Sequence, residues 1–334
     1  MSEQPHASPG SLLCHGIAWP AADGPPRLAL RAVGGGAATG GAVGRGAAGG
    51  AADVVLAPGT RLVFDVVPGK WCLGHTVVHG RDSRTSHACP GRSPAERGHQ
   101  CGPCFAREDT RHMHDFHRSG IAPEGLRAYL AQEHWLYVAS FAHGAAKIGT
   151  AAAGGKWRRL AEQGAVAGSY VALAADGRAV RVLEDLVTRE LRLGQSVRSA
   201  AKAAGLAAGP GAAHDAGSLA EAHAGRAASV RRLLDASPEA ATVPFRPVDE
   251  RWDPPAAAAG LLAGWDAGRV RPYPGSLAGG SHGFTVDSVS GQVLGVRLRG
   301  SDELFAVDAG ALKGRRLTRG GGATEAPAVQ DVLF

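Results

Sequence analysis

The sequence predicts an α+β protein: a small β-β-α-β-α unit beside a cysteine-organised ribbon, with flanking β-strands. Three observations predict it. Residues 135–141 and 146–150 read as two strands around a His143-Gly144 turn, and a helix, a strand and a second helix follow before residue 194. Four of the five cysteines fall between positions 72 and 104, in a stretch with too few aliphatic side chains to build a core of its own. Short Val- and Leu-rich runs punctuated by Gly and Pro at both ends of the chain read as further strands.

Composition sets the outer limits. The 334 residues suffice for two or three compact units, and 44% hydrophobic content supports a buried core. There is no run of about 18 apolar residues, so no membrane span is expected. The first twenty residues carry Glu3, Pro5, Pro9, His15 and Pro20 and lack the basic start and apolar middle of a secretory signal. A cytoplasmic location is therefore expected, where clustered cysteines favour a metal over disulfides. The formal charge of +6 is compatible with phosphate-backbone partners without specifying them. The 49 glycines sit mostly in Ala/Gly tracts, which carry no functional weight.

Taken in order, residues 1–70 hold N-terminal strands and a Gly/Ala-rich loop at 33–52. Within them, Val54–Leu56 and Leu62–Val67 read as a hairpin around Pro58-Gly59. Residues 71–119 form the cysteine ribbon, and 133–203 the β-β-α-β-α unit, with helices near 156–163 and 179–193. Residues 204–265 are Ala-rich and read as helical, most clearly over 218–235. Residues 266–320 return to strands, with a turn at Gly300-Ser301-Asp302. The segment 321–334, with three successive glycines from Gly320, reads as a flexible tail.

The cysteines read Cys72-x16-Cys89-x11-Cys101-Gly-Pro-Cys104. Two residues between Cys101 and Cys104 let both sulfurs reach one small ion, and Cys72 and Cys89 complete a tetrahedral set for zinc. A closed four-ligand site is structural. His75 competes for a place, since Cys72-Leu-Gly-His75 has the same spacing, and His87 and His99 are near. Cys14 reads as a small buried residue. His112-x-His114-x2-His117 reads as a solvated, Arg-flanked segment, with a surface metal site as the alternative.

A second constellation lies in the β-β-α-β-α unit. Tyr137 sits in its first strand and Lys147-Ile148-Gly149 in its second. Arg159 and Gln163 share a helix face, and Glu184 lies on the second helix. There Val180, Leu183, Val187 and Leu191 form the apolar stripe, with Glu184 on one border and Glu190 on the other. Either carboxylate qualifies as the unusual one, and Arg181, three residues before Glu184, is a natural ion-pair partner.

These residues resemble the GIY-YIG endonuclease superfamily, closest to a branch with a Lys-Ile-Gly form of the second motif. A wider pattern resembles a bacterial domain-of-unknown-function family, family 2797. It combines a cysteine-rich ribbon, His134-x2-Tyr137, Lys147-Ile-Gly-Thr150, Arg159-x3-Gln163-Gly164-Ala165 and Asp308-Ala-Gly-Ala-Leu-Lys-Gly-Arg315. The resemblance implies a zinc ribbon joined to a GIY-YIG-like unit and a metal-dependent phosphodiester hydrolase. In that scheme Tyr137 helps activate water, Arg159 steadies the phosphate, and Glu184 holds Mg²⁺ or Mn²⁺. Trp135 stands where the first motif has its leading glycine, and Lys147 where many nucleases have a tyrosine. Over 156–202, nine Lys/Arg against five Asp/Glu give +4, which suits DNA or RNA as partner. The function expected is a zinc-containing nucleic-acid-binding protein, for which the resemblance implies a Mg²⁺-dependent endonuclease and the residues alone leave catalysis open. The alternative is a binding or protein-interaction module without catalysis.

Overall fold

The structure, a computed structural model, describes residues 10–20, 24–33, 52–209 and 215–327. Most of the expected Gly/Ala-rich loop, residues 34–51, lies outside them.

The chain opens with β1 (Leu12–Ala18), β2 (Arg27–Ala32), the two-residue β3 (Val54–Val55) and β4 (Arg61–Val67). A hairpin, β5 (His75–Val78) and β6 (Arg84–His87), leads to the short helices α1 (Gly102–Ala106), α2 (Phe116–Ser119) and α3 (Glu124–Leu130). Then come β7 (His134–Ser140), β8 (Ala146–Ala152), α4 (Lys156–Gln163), β9 (Ala167–Ala174) and α5 (Gly177–Leu191), the β-β-α-β-α order read from the sequence. Two Ala-rich helices, α6 (Ser199–Ala207) and α7 (Ala216–Ala236), precede β10 (Phe245–Trp252) and α8 (Ala259–Asp266). The chain closes with β11 (Val270–Pro272), β12 (Gly280–Ser290), β13 (Val293–Arg297), β14 (Leu304–Asp308) and β15 (Arg316–Arg319). The molecule is thus α+β.

The strands from the two ends of the chain build one nine-stranded sheet, ordered β11-β14-β13-β12-β4-β15-β1-β2-β3. This corrects the hairpin expected over residues 53–67. The turn at Pro58-Gly59 is present, with Thr60 N donating to Ala57 O at 3.0 Å. Yet β3 pairs with β2, and β4 pairs with β12 and β15. Pro58-Gly59 turns the chain as its local chemistry predicts, but long-range pairing chooses the strand partners. The turn after β13 does join an antiparallel pair, β13 and β14.

The smaller sheet has the order β10-β9-β7-β8, with β7 antiparallel to both β8 and β9. Alternation along β7 splits its side chains between two cores. Leu136 and Val138 join Ile148 and Val171 under α5 and α7, through Val180, Leu183, Val187, Ala227 and Val230. Tyr137 and Ala139 face the other way, into a core shared with Phe64, Val286 and Leu294 of the large sheet.

Two further expectations change. The Ala-rich region is interrupted by β10, which reads as polar because it is an edge strand. Only its inner positions need be apolar, and Pro247 is tolerated at an edge. Residues 321–327, expected in a flexible tail, are tied to the large sheet: Thr324 N donates to Gly283 O at 2.9 Å and Ala326 N to Arg299 O at 3.2 Å. Residues 328–334 lie outside those described. No helix among the described residues is long and apolar enough to cross a membrane.

Candidate functional site: a thiol cluster beside a cationic cleft

Two turns bring the cysteines together. Cys101 caps the start of α1, with Pro103 in its first turn, so Cys104 falls one turn further along. Cys72 precedes β5 in a tight turn where Gly74 N donates to Cys72 Sγ at 3.3 Å. Gly74 has φ +88°, and a Cβ there would fall 1.8 Å from His87 O, so this turn requires glycine. Cys72 and Cys89 bracket the β5–β6 hairpin.

The four sulfurs of Cys72, Cys89, Cys101 and Cys104 all lie within 4.8 Å of one another. Tetrahedral zinc–thiolate bonds of about 2.3 Å place sulfurs about 3.8 Å apart; Cys89 and Cys101 Sγ are 3.8 Å apart. Burial pushes the Cys72 and Cys104 thiols up, so holding them as thiolates requires a cation among them. The four cysteines can therefore hold a metal ion such as zinc. His75, the rival ligand, instead stacks on His87 across the hairpin at 5.0 Å between ring centres, and neither they nor His99 join the cluster. Cys14 is fully buried, which pushes its thiol up to about 11.

The ribbon is fastened on two sides. Arg316 of β15 stacks on Trp71 with its guanidinium carbon 3.2 Å from the ring centre. On the other side, Val78 packs with Ala122, Leu126 and Leu130. The backbone N–H groups of Thr76 and Val78 donate to the Glu108 and Asp109 carboxylates, both at 2.8 Å.

Next to this ribbon lies a cavity of about 610 Å³ that gathers Tyr137, Lys147, Arg159 and Glu184. Tyr137 and Lys147 share one face of the β7–β8 pair, where Ala139 is the partner of Lys147 and Gly149 that of Tyr137. Arg159 arrives from α4. Glu184 arrives from α5, where its place on the border of the apolar stripe lets it reach the cleft while Leu183 stays in the core. Glu190, the other candidate, is exposed, pairs with Arg189 at 2.8 Å and is no part of the cleft lining. Gln163 is also absent from the lining; its backbone oxygen accepts from Lys202 Nζ at 2.7 Å.

The cleft is cationic. Arg81, Arg84, Lys147, Arg158, Arg159 and Arg181 line it against Asp82, Glu162 and Glu184. Burial and the nearby Arg159 bring Lys147 down to about 8, and its ammonium donates to Gln195 O at 3.2 Å. Tyr137 is fully buried; among the described residues its hydroxyl has no partner at hydrogen-bond geometry, although the Arg159 guanidinium lies near enough to act on it. Burial pushes it up to about 12, against the pull of Arg159. Burial likewise raises Glu184, although Arg181 opposes the rise by pairing with its Oε2.

Sequence reading missed one part of this arrangement. The Arg181 guanidinium bridges Glu184 and His114 Nδ1. His117 lies 3.0 Å from Asp185. The histidine run, expected as a solvated segment, therefore clasps α5, and its members go to separate partners without forming a metal cluster. Their spacing held no signal for this, since the contacts cross more than sixty residues of chain. The arginines of the β5–β6 turn and Tyr129 of α3 were also missed, for the same reason.

Comparisons of the chain with protein families, with curated proteins and with solved structures return no match.

Proposed function

We propose that the protein binds nucleic acid in the cationic cleft and hydrolyses a phosphodiester there with a divalent cation, the cysteine cluster holding a structural zinc. One observation carries this reading: Tyr137, Lys147, Arg159 and Glu184, drawn from four elements, line one cavity with an excess of positive charge. The resemblance to GIY-YIG endonucleases assigns roles to three of them, Tyr137, Arg159 and Glu184, and Lys147 stands where many of those nucleases have a tyrosine.

Each side chain suits a part. The Arg159 guanidinium matches two phosphate oxygens at once, and Lys147 adds a point charge. Tyr137 keeps its proton at neutral pH, because burial holds it up at about 12. Its hydroxyl, unpartnered among the described residues, is placed to orient a water oxygen and does not take up a proton. Glu184 fits a hard cation: Oε2 pairs with Arg181, and Oε1 has no protein partner among the described residues. Bound there, Mg²⁺ or Mn²⁺ supplies charge stabilisation at the phosphate.

The Arg181–Glu184 pair favours a second reading, in which the cleft binds nucleic acid without cleaving it. The deciding assay uses labelled DNA and RNA, single-stranded and duplex, with Mg²⁺ or Mn²⁺, beside Glu184→Ala. Cleavage lost in that variant supports the hydrolase. Binding without turnover supports the second reading, and the absence of both overturns the proposal.

A further inference from the structure

We propose that the turn of the β5–β6 hairpin is a phosphate-binding arm of the cleft, with Arg81 and Arg84 as its contacts to a nucleic-acid strand. This rests on the reading that the cleft takes nucleic acid.

Both arginines line the same cavity as Arg159, and both are exposed. Neither guanidinium has an ion-pair or hydrogen-bond partner among the described residues, although the backbone of Arg84 pairs with Val78 in the hairpin. By contrast, Arg118, Arg181 and Arg189 all reach carboxylates. Asp82, between the two, pairs with neither. Two unneutralised guanidinium groups at the rim of an already cationic cavity favour a polyanion over a lone phosphate. A strand with one phosphate at Lys147 and Arg159 carries its next phosphates out along the rim, where guanidinium groups are the fitting partners.

The arm is also held in place, which a chance surface charge is not. His79 N donates to Ser83 O at 2.9 Å and closes the turn. Gly125 of α3 approaches so closely that a Cβ there would lie 1.8 Å from Val78 O. Cys72 and Cys89, at the two ends of the hairpin, lie close enough to share one ion, which would tie those ends together. Little backbone freedom therefore remains to be lost on binding, and the ordering cost is confined to the two side chains.

The test is fluorescence anisotropy of labelled single-stranded DNA and RNA oligonucleotides across a NaCl series, without added Mg²⁺. The Arg81→Ala/Arg84→Ala protein should bind more weakly at low salt. Its log K against log[salt] slope should be shallower by about 1.4, the release expected for two phosphate contacts on a single strand. Zinc content and circular dichroism should match the parent, and the Arg81→Lys/Arg84→Lys protein should recover the slope. A parent that binds with a slope unchanged in the alanine protein overturns the arm and leaves the proposed function standing. A parent that binds no oligonucleotide overturns both.

Discussion

Tyr137 and Gly149 face each other across the β7–β8 pair, and the tyrosine ring lies directly over the glycine. A Cβ at Gly149 would fall 2.6 Å from both Cζ and Oη of Tyr137. The glycine of Lys147-Ile148-Gly149 is therefore explained by packing: its missing side chain is the space the ring occupies. That same contact sets the position of the hydroxyl in the cleft.

Gly149→Ala should accordingly displace a fully buried ring and destabilise the protein by about 1–3 kcal/mol. Urea unfolding of the two proteins measures this. Equal stabilities would mean that the ring moves freely and that its position is not set by Gly149.

Purified protein should carry one zinc per chain, and Cys101→Ser should lose it. An ion held by Cys72 and Cys89 would join both ends of the β5–β6 hairpin, so its removal by a chelator should also expose residues 72–104 to protease. Elemental analysis that finds no metal in fresh protein would sink the assignment.

Arg181→Ala should be costly at neutral pH, by about 3 kcal/mol, because it leaves the buried Glu184 carboxylate without its counter-charge. Replacing both residues with apolar ones, Arg181→Met with Glu184→Leu, should recover most of the loss. Denaturant midpoints for the two single changes and the double decide it. Additive losses would show that the two side chains act independently.

His223 gives a pH dependence of stability. It lies between Ser140 and Ser169, with hydroxyl oxygens 2.9 Å from each ring nitrogen. Burial, and then Arg226, bring it down from 6.5 to about 4. Between those values the unfolded chain binds the proton and the folded chain does not, so stability should fall as pH falls from 6.5 towards 4. His223→Gln should flatten that part of the profile in thermal unfolding. An unchanged profile would assign the acid sensitivity to other groups.

Local patterns in the chain suffice for most of the elements and for the thiol character of the candidate ligands. The helices α4 and α5 were legible because each buries one side of a 3.6-residue pattern, and β7 and β9 because a short apolar run bounded by turn residues reads as a strand buried on both faces. The two-residue spacing of Cys101 and Cys104 placed half of the thiol cluster, because one helical turn fixes their separation. Tertiary structure alone decided that Cys89 rather than His75 completes the cluster, since that depends on where the hairpin ends fall. It likewise decided the pairing of β4 with β12 and β15, the hold of His114 on Arg181, and the place of Arg81 and Arg84 at the cleft. All of these join residues far apart in the chain, through contacts that no local pattern encodes.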